Sequence, residues 1–261
     1  MEIQIAVLSR QGGRERNEDA CGYWSDGGPV CCVLSDGAGG HGGGDVASRV
    51  AVEAVLDAFS KRPDCAPRGV LSLLDLANRE VIRQQSSSDE LHDMRATLVL
   101  LSIDPAAATA SWGHVGDSRL YCFRDGFVVS RTKDHSLLQS MVDAGFADAN
   151  KLRGNPERSV LIASLGGEDG FDPDVLAEPF RLESGDAFLL CSDGFWEYVN
   201  ESVMEATLQR AASPDQWLAE MEQHVVEPPR PGQDNYSALA MWFGPMDFST
   251  RRMPPAAPAG R

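Results

Sequence analysis

Residues 110–132 read ASWGHVGDSRLYCFRDGFVVSRT, three runs of strand-forming residues cut by two Gly/Asp pairs. Gly116-Asp117 and Asp125-Gly126 are the pairs that tight reversals demand, so the segment predicts successive hairpins and hence antiparallel sheet. Its strands fall at 109–115, 120–124 and 127–131, and similar runs rich in Val, Ile, Leu and Phe lie at 2–9, 30–34, 97–103, 187–191 and 237–243. Apolar residues three and four apart predict helices in DVASRVAVEAVLDAF and GVLSLLDLANREVIRQQ, and again in SVMEATLQRAA and SPDQWLAEMEQHV, the last opening on Ser213 as N-cap with Pro214 behind it. Strands in blocks and helices in blocks indicate an α+β sandwich, not alternating βαβ units. With 43% hydrophobic residues, no repeat and no mid-chain linker, 1–244 reads as one domain, followed by a proline-rich, aperiodic, flexible tail at 245–261.

Charge and cysteine usage narrow the setting. A net charge of −16 repels nucleic acid and anionic membranes and favours basic peptides or cations. No stretch approaches the roughly 20 apolar residues of a membrane span, and the N-terminus lacks the pattern of a secretory signal. The six cysteines form no CxxC pair, and four of them lie in or beside apolar runs, which reads as buried reduced thiols and a cytoplasmic location.

The chemistry begins at VCCVLSDGAGGHGGGDVAS, where an apolar run ends in Asp36 and a chain of glycines. Gly37, Gly39 and Gly42 match the spacing of a dinucleotide fingerprint, but the acid about 20 residues on, Asp57, falls inside a helical run, and Asp36 would face the pyrophosphate. The pattern returns in FLLCSDGFWEYV, which places Asp193 at a second strand end. Two carboxylates on neighbouring strand ends repel in a low-dielectric site unless a cation lies between them, and Mg2+ or Mn2+ suits such oxygen donors. Taken singly, either aspartate also reads as a turn cap. Further acids in loop-like settings are Glu18, Asp19, Asp117, Asp134 and Asp234.

The ordered series RERNEDA, SDGAGGHGGGDVAS, GHVGDSRLY, TKDHS, LLCSDGFWE and DNYSALA resembles the metal-dependent protein phosphatases of the PPM (type 2C) family, bacterial members in particular, over nearly the whole chain. The resemblance implies a four-layer αββα sandwich, two antiparallel sheets flanked by helix pairs, with two metals at one end of the sheets. It implies that Asp36 bridges both metals, the Gly37 carbonyl binds one, Asp193 and Asp234 hold the other, and Glu18 and Asp19 act through coordinated waters. Asp117, with Asp193, would hold a third and weaker metal. Arg14 would grip the phosphate, as paired guanidinium donors suit a tetrahedral dianion, although it also reads as a solvated surface arginine. Arg14, Asp36 and Asp193 would then carry catalysis, with a water shared by the two metals attacking in line and no phosphoenzyme. Ser35 and Ser192 are not nucleophiles in this scheme, and His41 and His114 take supporting roles near the site.

The sequence departs from the family at Ala38, where some relatives carry a histidine proposed to protonate the leaving group, and at Arg95-Ala96, where a Gly-Thr or Gly-Ser pair is usual. The segment after TKDHS, around 137–160, occupies the place of the family's variable flap. The activity implied is hydrolysis of phosphoserine and phosphothreonine in proteins by a monomer that opposes a serine/threonine kinase. A catalytically inactive partner-binding domain and a small-molecule phosphohydrolase are the alternatives.

Overall fold

The computed structural model describes residues 2–38, 43–148, 153, 155, 159–167, 170–228 and 232–246. Twelve strands and six α-helices are described, in the order β1 (Ile3–Arg10), β2 (Asp19–Ser25), β3 (Val30–Ala38), α1 (Gly44–Lys61), α2 (Pro67–Gln85), β4 (Arg95–Ala96), β5 (Leu98–Asp104), β6 (Thr109–Val115), β7 (Arg119–Arg124), β8 (Phe127–Arg131), α3 (Leu137–Asp143), β9 (Asp174–Val175), β10 (Phe180–Arg181), β11 (Asp186–Cys191), α4 (Asp193–Trp196), α5 (Glu201–Leu208), α6 (Pro214–Val226) and β12 (Tyr236–Phe243). One sheet runs β1-β12-β11-β7-β8; the other runs β10-β6-β5-β3-β2, with β4 added on β3 and β9 on β6.

Layering follows from which faces are apolar. β3, β5, β11 and β12 are apolar on both faces and buried along almost their whole length, because each lies between a helix layer and the opposing sheet. Leu34, Val99, Leu101, Leu190 and Leu239 fill the space between the sheets. On one outer face Ala47, Ala51, Val55 and Phe59 of α1 join Leu74 and Ala77 of α2 against the second sheet. On the other, Trp217 and Met221 of α6 and Met204 of α5 cover Phe123 and Trp242 of the first sheet. The result is the expected αββα sandwich.

Local signals account for several boundaries. Ser213 caps α6, its Oγ accepting from Gln216 N at 3.1 Å, with Pro214 opening the helix. Asp125 and Gly126 both adopt positive φ, 54° and 81°, the conformation of a two-residue hairpin turn, and β7 and β8 pair across it. The other reversal differs from expectation. Gly116-Asp117 joins no hairpin: β6 pairs with β5 in one sheet and β7 with β11 in the other, so the chain crosses here between the two sheets. Asp19 is not in a loop either; it opens β2, a strand absent from the sequence reading, and stands opposite Asp36 in register. The predicted tail lies almost wholly outside the described residues, as do 149–152, 154 and 156–158 of the segment around 137–160, whose described part opens with α3.

Candidate active site

At one end of the sandwich the two sheets present their acids to a shared cleft of about 350 Å³. Asp36 comes from the end of β3 and Asp193 from the turn after β11, where it begins α4. These strands belong to opposite sheets, so the two Ser-Asp-Gly motifs face one another across the sandwich instead of lying on neighbouring strands. Asp117 enters from the β6–β7 crossover, Asp234 from just before β12, and Glu18 and Arg14 from the segment before β2; all line the cleft with Gly37. Asp19 lies beneath it, buried. The structure thus brings Arg14, Glu18, Asp36, Gly37, Asp117, Asp193 and Asp234 to one cleft, with Asp19 beneath it, while the loop carrying Gly39, His41 and Gly42 lies outside the described residues.

Asp36 and Glu18 are held by their main chains. Asp36 N donates to Thr97 Oγ1 at 3.0 Å while Thr97 N donates to Asp36 O at 2.8 Å, and Ser35 Oγ donates to Thr97 O at 2.6 Å. Gly37 N donates to Glu18 O at 3.0 Å. A Cβ on Gly37 would fall inside the Gly44 carbonyl group, so only glycine lets β3 pass so close to the start of α1. Asn235 ties the opposite wall: its Nδ2 donates to Gln11 O at 2.7 Å and Arg16 O at 2.8 Å, and its Oδ1 accepts from Glu18 N at 2.8 Å. That amide shapes the whole loop carrying Arg14 and Glu18.

The electrostatics are those of a cation site. Burial, then the neighbouring Asp19 and Asp193, hold the Asp36 carboxyl well above its ordinary range, and burial followed by Asp193 does the same to Asp117. Burial pushes Asp19 up to about 7. Its Oδ2 accepts from Ser192 Oγ at 2.9 Å, whereas its Oδ1 is buried with no hydrogen-bond partner. A buried orphan carboxylate oxygen beside a cluster of like charges is costly in the protein alone, and a hard divalent cation resolves both defects. Among the described residues Arg14 is the basic one that lines the cleft, its Nη2 donating to Asp234 Oδ2 at 2.7 Å.

One acid and one histidine of the sequence reading serve elsewhere. Asp134 accepts from Arg119 Nε and Nη2, both at 2.7 Å, in a buried bidentate pair. The Arg119 guanidinium lies 3.5 Å from the centroid of the Trp196 ring, and Trp196 Nε1 donates to Asp117 O at 2.9 Å. Asp134 therefore positions the turn that carries Asp117 and does not line the cleft. His114 is buried behind that turn, stacked on His135 with ring centroids 4.5 Å apart.

Residues 9–229 match the family model described as Protein phosphatase 2C. The chain belongs to the protein phosphatase 2C family. Among relatives, it is 30% identical over 203 residues to the serine/threonine phosphatase stp of Listeria monocytogenes serotype 4b, covering 75% of this chain and 79% of that one. The serine/threonine phosphatase PstP/Ppp of Mycobacterium tuberculosis superposes with a TM-score of 0.80 at 24% identity, covering 93% of this chain and 99% of that one. A structure of the catalytic domain of PstP in complex with 2 manganese ions superposes with a TM-score of 0.76 at 24% identity, covering 92% and 97%. The phosphatase 2C sandwich is thus common ground between sequence, fold and relatives.

Proposed function

We propose that this protein phosphatase 2C member hydrolyses phosphoserine and phosphothreonine in proteins, using Mn2+ or Mg2+ held in the acidic cleft. The convergence of Asp36, Asp117, Asp193 and Asp234 on one cleft with Arg14 at its mouth carries the reading. Asp36 and the Gly37 carbonyl, with Asp193 and Asp234, are the groups to hold two divalent cations; Glu18 and Asp19 support them, and Asp117 with Asp193 offers a weaker third position. Bound there, such ions supply a nucleophile available at neutral pH and neutralise the charge of a phosphoryl group. Arg14 commits Nη2 to Asp234 and keeps its other donors for a phosphate oxygen at the cleft mouth. Ala38 brings no acid to the leaving group, so the proton for the serine or threonine oxygen comes from water in the cleft.

Residues 1–244 form the catalytic unit in this reading, which acts as a monomer in the cytoplasm opposite a serine/threonine kinase. Among the described residues no helix is long and apolar enough to cross a membrane. The deciding experiment compares phosphoserine, phosphothreonine and phosphotyrosine peptides with and without Mn2+. Turnover of the first two, lost on chelation, is expected; turnover that survives chelation would overturn the assignment.

A further inference from the structure

We propose that His114, His135 and Asp174 form a separate site for a zinc-class divalent cation, on the edge of the second sheet behind the Asp117 turn. One ring nitrogen of each histidine and a carboxylate oxygen of Asp174 lie within 4.8 Å of one another. In tetrahedral geometry two atoms bound to one zinc ion at about 2.0–2.1 Å stand about 3.4 Å apart, so the three donors must draw in by up to about 1.4 Å, within reach of side-chain rotation. The backbone sets this proximity. β9 pairs with β6 so that Asp174 stands directly opposite His114. Gly113, where a Cβ would run into the Val175 side chain at 2.8 Å, lets β9 lie that close.

The two rings are presented as ligands. His114 Nε2 donates to Lys133 O at 2.7 Å, which fixes the tautomer and leaves Nδ1 with a bare lone pair. Burial, then the adjacent His135, hold its pKa down at about 4, so the imidazole stays neutral, as metal binding requires. His135 is anchored to the crossover by its own N–H, which donates to Gly116 O at 3.0 Å. Two imidazoles and one carboxylate form a donor set that suits zinc, with a fourth position left for water, and is poor for Mg2+, which prefers an oxygen shell. Hard ions and zinc are thereby sorted to different places in one protein.

Loading this site has a structural consequence. Gly116 N donates to His135 Nδ1 at 3.3 Å, so the single ring proton resides on Nε2 and is shared with Asp174 Oδ2 at 3.2 Å. Ligation through Nε2 transfers that proton to Nδ1 and ends the Gly116 bond, one residue from Asp117. Zinc would therefore loosen the main chain that aims a carboxylate into the cleft.

The test is imidazole nitrogen NMR on the full chain in excess Mg2+, titrated with zinc chloride. Of the five histidines, His114 and His135 are expected to show ligation shifts at one equivalent, with faster amide exchange at Gly116. Asp174→Asn, at a largely exposed carboxylate, should keep its fold and lose zinc affinity by about tenfold or more in competition with a chromophoric chelator. His135→Gln should lose it as well. Zinc that moves neither histidine, or that binds Asp174→Asn and His135→Gln as tightly as the parent, overturns the proposal whether or not the cleft is a phosphatase site.

Discussion

A guanidinium at the mouth of an acidic cleft can serve the acids or the substrate, and Arg14 is placed for both. Its bond to Asp234 is exposed and contributes little to stability. Arg14→Ala should therefore leave the fold intact and raise KM for phosphopeptide by about tenfold or more, with a smaller change in Mn2+ affinity by calorimetry. An unchanged KM and kcat would return Arg14 to the solvated surface. Asp36 differs because it sits half-buried at the centre of the acids. Asp36→Asn should cut turnover by on the order of a hundredfold or more while the protein still melts cooperatively. Asp117→Ala should spare the two tight metal sites yet lose most kcat on phosphopeptide, with a smaller loss on p-nitrophenyl phosphate, whose leaving group needs no proton. Full activity on phosphopeptide would exclude a role for Asp117 in the reaction.

At the scale of elements, the β6–β7 crossover joins site to scaffold. Arg119 and Asp134 are almost fully buried, with 1% and 5% of their side chains exposed. Asp134→Ala would strand a buried guanidinium, so a loss of about 3–5 kcal/mol is expected in urea unfolding. A drop in kcat should accompany it, because Trp196 and the Asp117 turn lean on the same pair; a variant as stable as the parent would show that the pair is dispensable. This region also marks the limit of what the sequence tells. Asp36, Asp193 and Asp234 were legible because an acid beside glycine or at a strand start stands out against apolar neighbours. Gly116-Asp117 and Asp125-Gly126 look alike as text, yet one crosses between sheets and the other closes a hairpin. Turn residues report that the chain reverses, whereas the sheet that receives the next strand is settled by burial on both faces. β2 is illegible for a related reason: it opens on Asp19 directly after Glu18 and carries Gly22, whose bare backbone leaves room for Leu56 of α1. Asn235, Thr97 and Trp196 bear no charge pattern, and their importance lies in main-chain atoms distant in sequence.

The whole molecule holds its acids together against their mutual repulsion, and that has a pH signature. Without metal, Asp19 titrates near 7 against its ordinary 3.8, and Asp36 and Asp117 are raised as well, so the folded chain keeps protons that the unfolded chain has released. Stability supplied by raised carboxyls is present at low pH and lost as pH rises. His114, held down at about 4, acts in the opposite sense below its usual 6.5. Above about pH 6.5, then, the melting temperature of chelated protein should fall by several degrees as pH rises, and Mn2+ should abolish that slope. A flat profile in chelator would mean that the acids do not strain the fold. A last consequence comes from the pairing of β1 with β12, Ile3 against Phe243 through Arg10 against Tyr236, and from the Asn235 amide that grips Gln11 and Arg16. During translation β1 must wait for β12, and the loop that presents Arg14 stays unshaped until residue 235 has left the ribosome. A chain stalled before β12 therefore lacks both the partner of β1 and the amide that shapes the Arg14 loop.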